Sequence, residues 1–370
     1  MGFSIDLYLN NIIVPIYRKS YPLMVTNKNN AYIKESLFSS KDGFFELPYF
    51  SNSPQLMLDS IVNLPVATHT LYKQKVHTEN DFFDGNMNYL EIEEGLWVMS
   101  YNFDVKQNII ANAIYDDHNE SEYYYLSFSV FHYEFPVKSI EKNIVLKSKC
   151  WTLYKPKTKV SMYFYKNTSG RFINIVFNKK WAQDNISKLF PELDSFFTSK
   201  TGYLTWLDQV PSEDSLFEKI YKRMEQIPVG IENVKEDILQ LQNNFFSTVI
   251  QDNRLQSYAA LSIFDYSSAA KAERMLLHHL NLPFIGINKI AKELHIAPTK
   301  LKIIFKSVFG LTILQYHKEK NMLLAHQLVK NSHLKISNIA QMTGYESASK
   351  FSSAFKKRFG SLPSVFRNNQ

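Results

Sequence analysis

Two sets of residues, on the order of fifty positions apart, are suited to gripping another molecule. Pro298, Thr299, Lys300, Lys302, Ile303 and Lys306 form the first, and Ala348, Ser349, Lys350, Ser352, Ser353 and Lys356 the second. Small polar and basic side chains on an exposed helix face can hydrogen-bond phosphate oxygens and meet base edges in a groove. Catalytic groupings are harder to find. His69, His77, His118 and His132 are scattered, with no two separated by a single residue, and so do not form a metal-binding cluster. Cys150 could act as a thiol nucleophile or as an inert buried thiol. No glycine-rich phosphate loop is present, and Asp104, Asp116 and Asp117 do not have the spacing of a phosphorelay pocket. No enzyme, metal or cofactor is expected.

The two sets lie on copies of one pattern. INKIAKELHIAPTKLKIIFKSVFGLTILQYH runs from Ile287 to His317, and ISNIAQMTGYESASKFSSAFKKRFGSLPSVFR from Ile336 to Arg367. Ile290-Ala291 matches Ile339-Ala340, Phe305-Lys306 matches Phe355-Lys356, Gly310 matches Gly360, and Tyr316 falls opposite Phe366. Each copy reads as a short helix, a tight turn and a second helix. In the second copy Ile336, Ile339 and Ala340 form an inward stripe from about Ser337 to Met342. Gly344 supplies the turn, and Ser347 is placed to cap a helix that turns Phe351, Ala354 and Phe355 inward. In the first copy His295 stands where the turn glycine would be, Pro298 suits the first helical position, and Leu301, Ile304 and Phe305 face inward. Two such units can enter successive major-groove segments of one duplex.

This segment resembles the DNA-binding domain of the AraC/XylS family of bacterial transcription regulators. The residues that carry the resemblance are Ile339-Ala340, Gly344-Tyr345, Phe351, Ala354-Phe355-Lys356-Lys357, Phe359-Gly360, Pro363-Ser364 and Arg367. It covers about the last hundred residues. It implies seven helices, with a connecting helix at roughly Ile313–Val329 that can pack through Leu314, His317, Met322, Ala325 and Leu328. Family members often carry arginine where Ile303 and Ser353 stand, which shifts the expected preference toward A·T pairs and thymine methyls. The resemblance also implies a cupin-like β-barrel sensor ahead of the helices, with RNA polymerase as a partner if the chain activates. GLWVMSYNF and the stretch from Leu328 to Ser364 resemble regulators of iron–siderophore uptake, which implies a siderophore-like effector.

Charge follows the same division. The chain has 370 residues and a net charge of +7. Lys271–Gln370 carries 16 Lys and Arg against 4 Asp and Glu, whereas Met1–Ala270 carries 26 against 31. A basic surplus confined to the repeat is the footprint expected for a polyanion such as double-stranded DNA. Hydrophobic residues make up 45% and charged residues 21%, as in a globular chain. With one cysteine no internal disulfide can form, and an alkyl-transfer domain, which needs several metal-binding cysteines, is excluded. No secretory signal or apolar run of about twenty residues is seen, so a cytoplasmic protein with no membrane partner is expected.

The fold class expected is α+β, with a β-rich region at 1–180, a helical linker at 181–265 and an all-α region with two helix–turn–helix units at 266–370. From about Phe3 to Phe177 the pattern is mostly β. Gly95–Asp104, Glu122–Phe135, Lys159–Tyr165 and Arg171–Phe177 read as strands, the last two joined by a hairpin loop at Lys166–Gly170. Trp97, Tyr101, Tyr123, Tyr125, Phe128, Phe131, Tyr163 and Tyr165 could line a pocket for a small effector or fill a packed core. After Trp181 the reading is helical, with short helices at Ile186–Phe197 and Leu204–Asp208, a longer one at Ser215–Ile227 stopped by Pro228, and another at Ile231–Ile250. In the last, Ile231, Val234, Ile238, Leu241 and Phe245 form an a/d-like seam. The seam could pair with a second copy of the chain or pack on its own barrel. Arg254–Ala270 leads into a first helix of the C-terminal region near Ala269–Leu280.

Overall fold

Runs of aromatic and β-branched residues become strands because their side chains pack well on a pleated surface. The computed structural model describes residues 37–62, 67–119, 122–135, 144–198, 202–207, 214–226, 231–251, 261–280 and 284–368. The earliest part of the β reading, from Phe3 to residue 36, lies outside the described residues. The strands are β1 (Ser40–Lys41), β2 (Phe44–Phe50), β3 (Ala67–Thr70), β4 (Lys75–Glu79), β5 (Phe83–Glu93), β6 (Leu96–Val105), β7 (Ile109–Ile114), β8 (Tyr123–Phe135), β9 (Ile144–Tyr154), β10 (Ser161–Phe164), β11 (Thr168–Asn178) and β12 (Tyr203–Leu207). A helix, α1 (Pro54–Val62), interrupts the region read as β.

The strands form two sheets. One has the order β1-β2-β7-β10, with β2 and β7 parallel, and the other the order β12-β9-β8-β11-β6-β5-β4-β3. The expected hairpin at Lys166–Gly170 is a crossing between sheets, because β10 pairs with β7 while β11 pairs with β6 and β8. Asn167 takes a positive φ of 65°, and the Thr168 N–H donates to the Tyr165 carbonyl, which turns the chain at this corner. Of the segment read as a short helix at Leu204–Asp208, Asp208 lies outside the described residues and the rest belongs to the edge strand β12, paired antiparallel with β9 from Tyr203↔Tyr154 to Leu207↔Cys150. Its Tyr-Leu-Thr-Trp-Leu sequence favours a strand once a neighbour offers hydrogen bonds.

Among the described residues, six short or long helical pieces lie between β11 and Ser262. They include α2 (Lys179–Ala182), α3 (Asp194–Thr198), α4 (Asp214–Glu225) and α5 (Ile231–Gln251), with a π turn at Gln183–Ser187 and a 3-10 turn at Pro191–Leu193. The predicted dimer seam on α5 is occupied within its own chain. Val234, Ile238, Leu241 and Phe245 are buried against Leu126, Phe128, Trp151 and Ile175 on the outer face of the larger sheet, and only Ile231 is exposed. Phe128 stacks on Trp151 at 4.3 Å, which in turn stacks on Phe245 at 5.1 Å. Ion pairs pin the two helices. Asp237 on α5 meets Lys219 and Arg223 on α4 at 2.7 and 3.2 Å, Lys235 meets Glu93 on β5 at 2.6 Å, and Arg171 on β11 pairs with Glu218 on α4.

Seven further helices complete the described chain: α6 (Ile263–His278), α7 (Ile287–Glu293), α8 (Pro298–Phe309), α9 (Ile313–Asn331), α10 (Ile336–Met342), α11 (Ala348–Phe359) and α12 (Pro363–Asn368). The first begins earlier than expected because Ser262 and Asp265 form a capping box that fixes its start. Among the described residues no helix is long and apolar enough to cross a membrane.

Because the α5 seam faces its own sheet, Phe245→Ala should open a core cavity. The expected loss is about 3–5 kcal/mol of stability in denaturant titration. Sedimentation should show no change in oligomeric state for the folded fraction. A dissociated but equally stable variant would mean that the seam faces a partner.

Candidate nucleic-acid interface and interior cavity

The two repeat units superpose in their bonding as well as in their sequence. In each, a small residue at the end of the first helix accepts the hydrogen bond that closes the turn: Ile296 N–H to Ala291 at 3.1 Å, and Tyr345 N–H to Ala340 at 2.8 Å. The turn residue takes positive φ in both, 53° at His295 and 81° at Gly344. Histidine therefore adopts the backbone that glycine takes freely, and the first turn is the same turn. Leu301, Ile304 and Phe305, and Phe351 and Phe355, are buried beneath. Gly310 and Gly360, both left-handed, end the second helices by donating to the carbonyls of Lys306 and Lys356 at 2.9 and 2.8 Å. Aromatic lids close both units. Tyr316 packs on Phe305 at 5.4 Å, and Phe366 on Phe355 at 5.9 Å. Arg367 ties α12 to the end of α9 by donating to the carbonyls of Val329 and Leu334.

Packing on one side leaves α8 and α11 open on the other. Pro298, Thr299, Lys300, Lys302, Ile303, Lys306, Ser349, Lys350, Ser353 and Lys356 are exposed, and Ala348 and Ser352 are half-buried. Ile303 is 61% exposed, a large apolar side chain on a polar face. Two of the lysines already have partners: Lys300 meets Asp265 at 2.7 Å, and Lys350 meets Glu346 at 2.5 Å. The heads are joined by α9, started by a Thr312–Gln315 capping box. Its 19 residues span about 28 Å, close to the roughly 34 Å between successive major-groove segments on one face of B-DNA. Of its expected packing residues, His317, Met322, Ala325 and Leu328 are buried, while Leu314 is exposed.

Between the two sheets lies a cavity of about 180 Å³. Strand alternation decides which of the eight aromatic candidates reach it. Tyr101 and Tyr125 line it. The other six lie elsewhere. Phe128 faces the opposite side of β8, toward α4 and α5. Trp97 and Tyr123 pack beside the Tyr89–Val176 cluster. Tyr163 and Tyr165 meet Phe44 at 5.3 and 5.2 Å, and Phe131 lies beyond the cavity's end. Wall residues not singled out from sequence include Tyr49, Tyr115, Ser127 and Asn174. Asn174, a polar residue inside the apolar run Arg171–Phe177, was the available signal for this wall.

The cavity ends close to α6. Phe103 and Phe164 line it and pack against Phe131, at 6.3 and 5.9 Å. Gly170 makes this approach possible, since a Cβ there would sit 2.7 Å from the Phe103 ring and 2.9 Å from Phe131. The half-buried Arg274 of α6 covers the Phe131 ring at 4.3 Å and hydrogen-bonds the Tyr133 hydroxyl. Its neighbour Glu273 accepts from Tyr316 of α9 at 2.6 Å. Tyr154 on the cavity wall lies beside Tyr266 of α6. Among the described residues no three His, Cys, Asp or Glu side chains are grouped to hold a metal.

A family model described as a helix-turn-helix domain matches residues 290–369. Over 81 residues the chain is 35% identical to the virulence regulon transcriptional activator VirF of Yersinia enterocolitica, covering 22% of this chain and 30% of that protein. Over 114 residues it is 32% identical to the HTH-type transcriptional regulator ExsA of Pseudomonas aeruginosa, covering 30% of this chain and 40% of that protein. Over 85 residues it is 33% identical to the probable transcription factor PqrA of Proteus vulgaris, covering 23% of this chain and 70% of that protein. The chain thus spans less than half the length of VirF and ExsA.

The paired turns differ in their tolerance. Gly344→Ala has open space for its methyl group but must hold a left-handed backbone, a net cost of about 1 kcal/mol. His295→Gly removes strain at the matching position and should leave stability equal or up to about 1 kcal/mol higher. Thermal unfolding monitored by circular dichroism measures both. Equal effects at the two sites would mean that the turns are not equivalent in conformation.

Proposed function

The chain belongs to the AraC/XylS family of transcription regulators, and we propose that it binds double-stranded DNA through α8 and α11 and is controlled by a small effector held between its β-sheets. The observation that carries DNA binding is the pair of bonded-alike helix–turn–helix units whose open faces hold Thr299, Lys302, Ile303 and Lys306 on one head and Ser349, Lys350, Ser353 and Lys356 on the other. Lysines at the ends of these faces meet phosphates and fix register, and the short side chains between them allow the helix close to base edges. Ile303 is placed to touch a thymine methyl. Lys300 and Lys350 exchange their carboxylate partners for phosphates on binding.

Control by an effector is supported by the cavity and by its short physical distance from α6. A ligand that alters the seating of Phe103 or Phe164 alters Phe131, and with it the Arg274 contact that docks α6 on the β-sheets. Glu273 and Tyr316 carry the change to α9, which sets the relation of the two heads. Such control requires different affinity for two protein states, and DNA must change effector affinity by the same factor. The activator named among the relatives supports RNA polymerase as a further partner.

Fluorescence anisotropy with duplexes selected from a random pool tests the DNA reading. Affinity should fall steeply with salt, log K dropping by about 0.9 for each neutralised phosphate per log unit of salt. Lys306→Ala and Lys356→Ala should each weaken all sequences alike and reduce that slope by about 1. Ser349→Ala should change preference in only one half of the site. Salt-insensitive binding, or a Ser349 variant that shifts both halves, would overturn the reading.

A further inference from the structure

The cavity wall specifies a ligand class, an inference that rests on the effector reading above. Its size comes first. At about 180 Å³ it is a little larger than the apolar cavity of about 150 Å³ known to hold benzene. Charge comes second. Among the described residues, no Asp, Glu, Lys, Arg or His lines the wall. Burial pushes the hydroxyls of Tyr49, Tyr101, Tyr115 and Tyr125 up from their ordinary value, so all four stay neutral. An ion entering this space would give up its hydration with no opposite charge to meet it.

The polar atoms of the wall narrow the class further. Most are already engaged. The Tyr115 hydroxyl donates to the Thr158 carbonyl at 3.0 Å, and the Tyr101 hydroxyl reaches the Met99 sulfur at 3.2 Å. The Asn102 side-chain oxygen accepts from the Asn86 N–H at 2.8 Å. Among the wall's fully buried side-chain atoms, the Tyr125 hydroxyl and the Asn174 side-chain oxygen have no hydrogen-bond partner. Ser51 and Tyr101 lie near them without meeting hydrogen-bond geometry. Tyr125 is 5% exposed and Asn174 9%. The pair sits on one face of adjacent strands, since Tyr125 lies opposite Val176 and Ser127 opposite Asn174. That is a diagonal relation, which turns both side chains to the same wall of the cavity. Buried polar atoms without partners are rare in native interiors and point to a missing ligand or water.

We propose that the cavity takes a compact, uncharged, mostly apolar molecule with one hydroxyl or amide group, which accepts from the Tyr125 hydroxyl and donates to the Asn174 side-chain oxygen. A hydrocarbon of the same shape leaves both atoms unpaired. An iron–siderophore complex, larger and usually charged, does not match this wall.

Calorimetry on the full chain with benzyl alcohol, benzamide, toluene, benzoate and benzylammonium tests the class. The alcohol and the amide should bind about three- to tenfold more tightly than toluene, the difference one or two net hydrogen bonds make. The two ions should bind most weakly. Tyr125→Phe and Asn174→Leu, each checked for an unchanged melting midpoint, should remove the preference over toluene without weakening toluene itself. Tightest binding by either ion, no binding by any of the five, or a preference unchanged in both variants would overturn the proposal. Anisotropy with DNA separates the two claims. Binding of the alcohol with no change in DNA affinity would sink effector control while the ligand class stands. Binding of an ion that does change DNA affinity would sink the class and leave control standing.

Discussion

Everything C-terminal in this chain depends on how α6 is seated against the β-sheets. The apolar faces of α6 and α9 run into the same buried cluster as Phe131, Phe135, Ile144, Leu146 and Phe164. The sheets and the helical region thus share one core. Arg274 is the polar fastener in that contact, its guanidinium kept charged by Glu273 and laid over Phe131. Drawing an arginine partly out of water is costly unless it is paired and hydrogen-bonded, and here both conditions hold. Lys271 adds a second cation over Tyr163 at 5.0 Å, and His278 stacks on Tyr165 at 4.7 Å. Several aromatic candidates that do not line the cavity are therefore engaged in docking α6.

A shared core joins the proposed ligand site to the proposed DNA surface. Cavity wall, Phe131, Arg274, Glu273 and Tyr316 form a contiguous series, and each step is a packed or hydrogen-bonded contact rather than a flexible tether. The last member belongs to α9, whose length governs the separation of the two heads.

Local signals were legible where they were strong and repeated. The glycine, Phe-Lys and aromatic positions of the two copies located both heads, the turn at Gly344 and the cap at Ser347, because these features depend on neighbours within one or two turns of chain. The alternation of β8 was also readable, yet the face turned to the cavity was not. Parity places Tyr125 and Phe128 on opposite sides, but only the pairing of β8 with β9 and β11, and the packing of α4 and α5, decides which side is which. Long-range pairing likewise put Leu204–Leu207, part of an expected helix, into β12 and split an expected hairpin between two sheets. The seam on α5 has the same period whether it meets another chain or its own sheet, so spacing alone could not choose.

The central claim is that two equivalent heads read one duplex. Hydroxyl-radical footprinting of the full chain on a selected duplex tests it most directly. Two protected stretches on one face of the DNA, their centres about 10 base pairs apart, are the result the structure predicts. A single protected stretch, or two separated by half a helical turn, would contradict it.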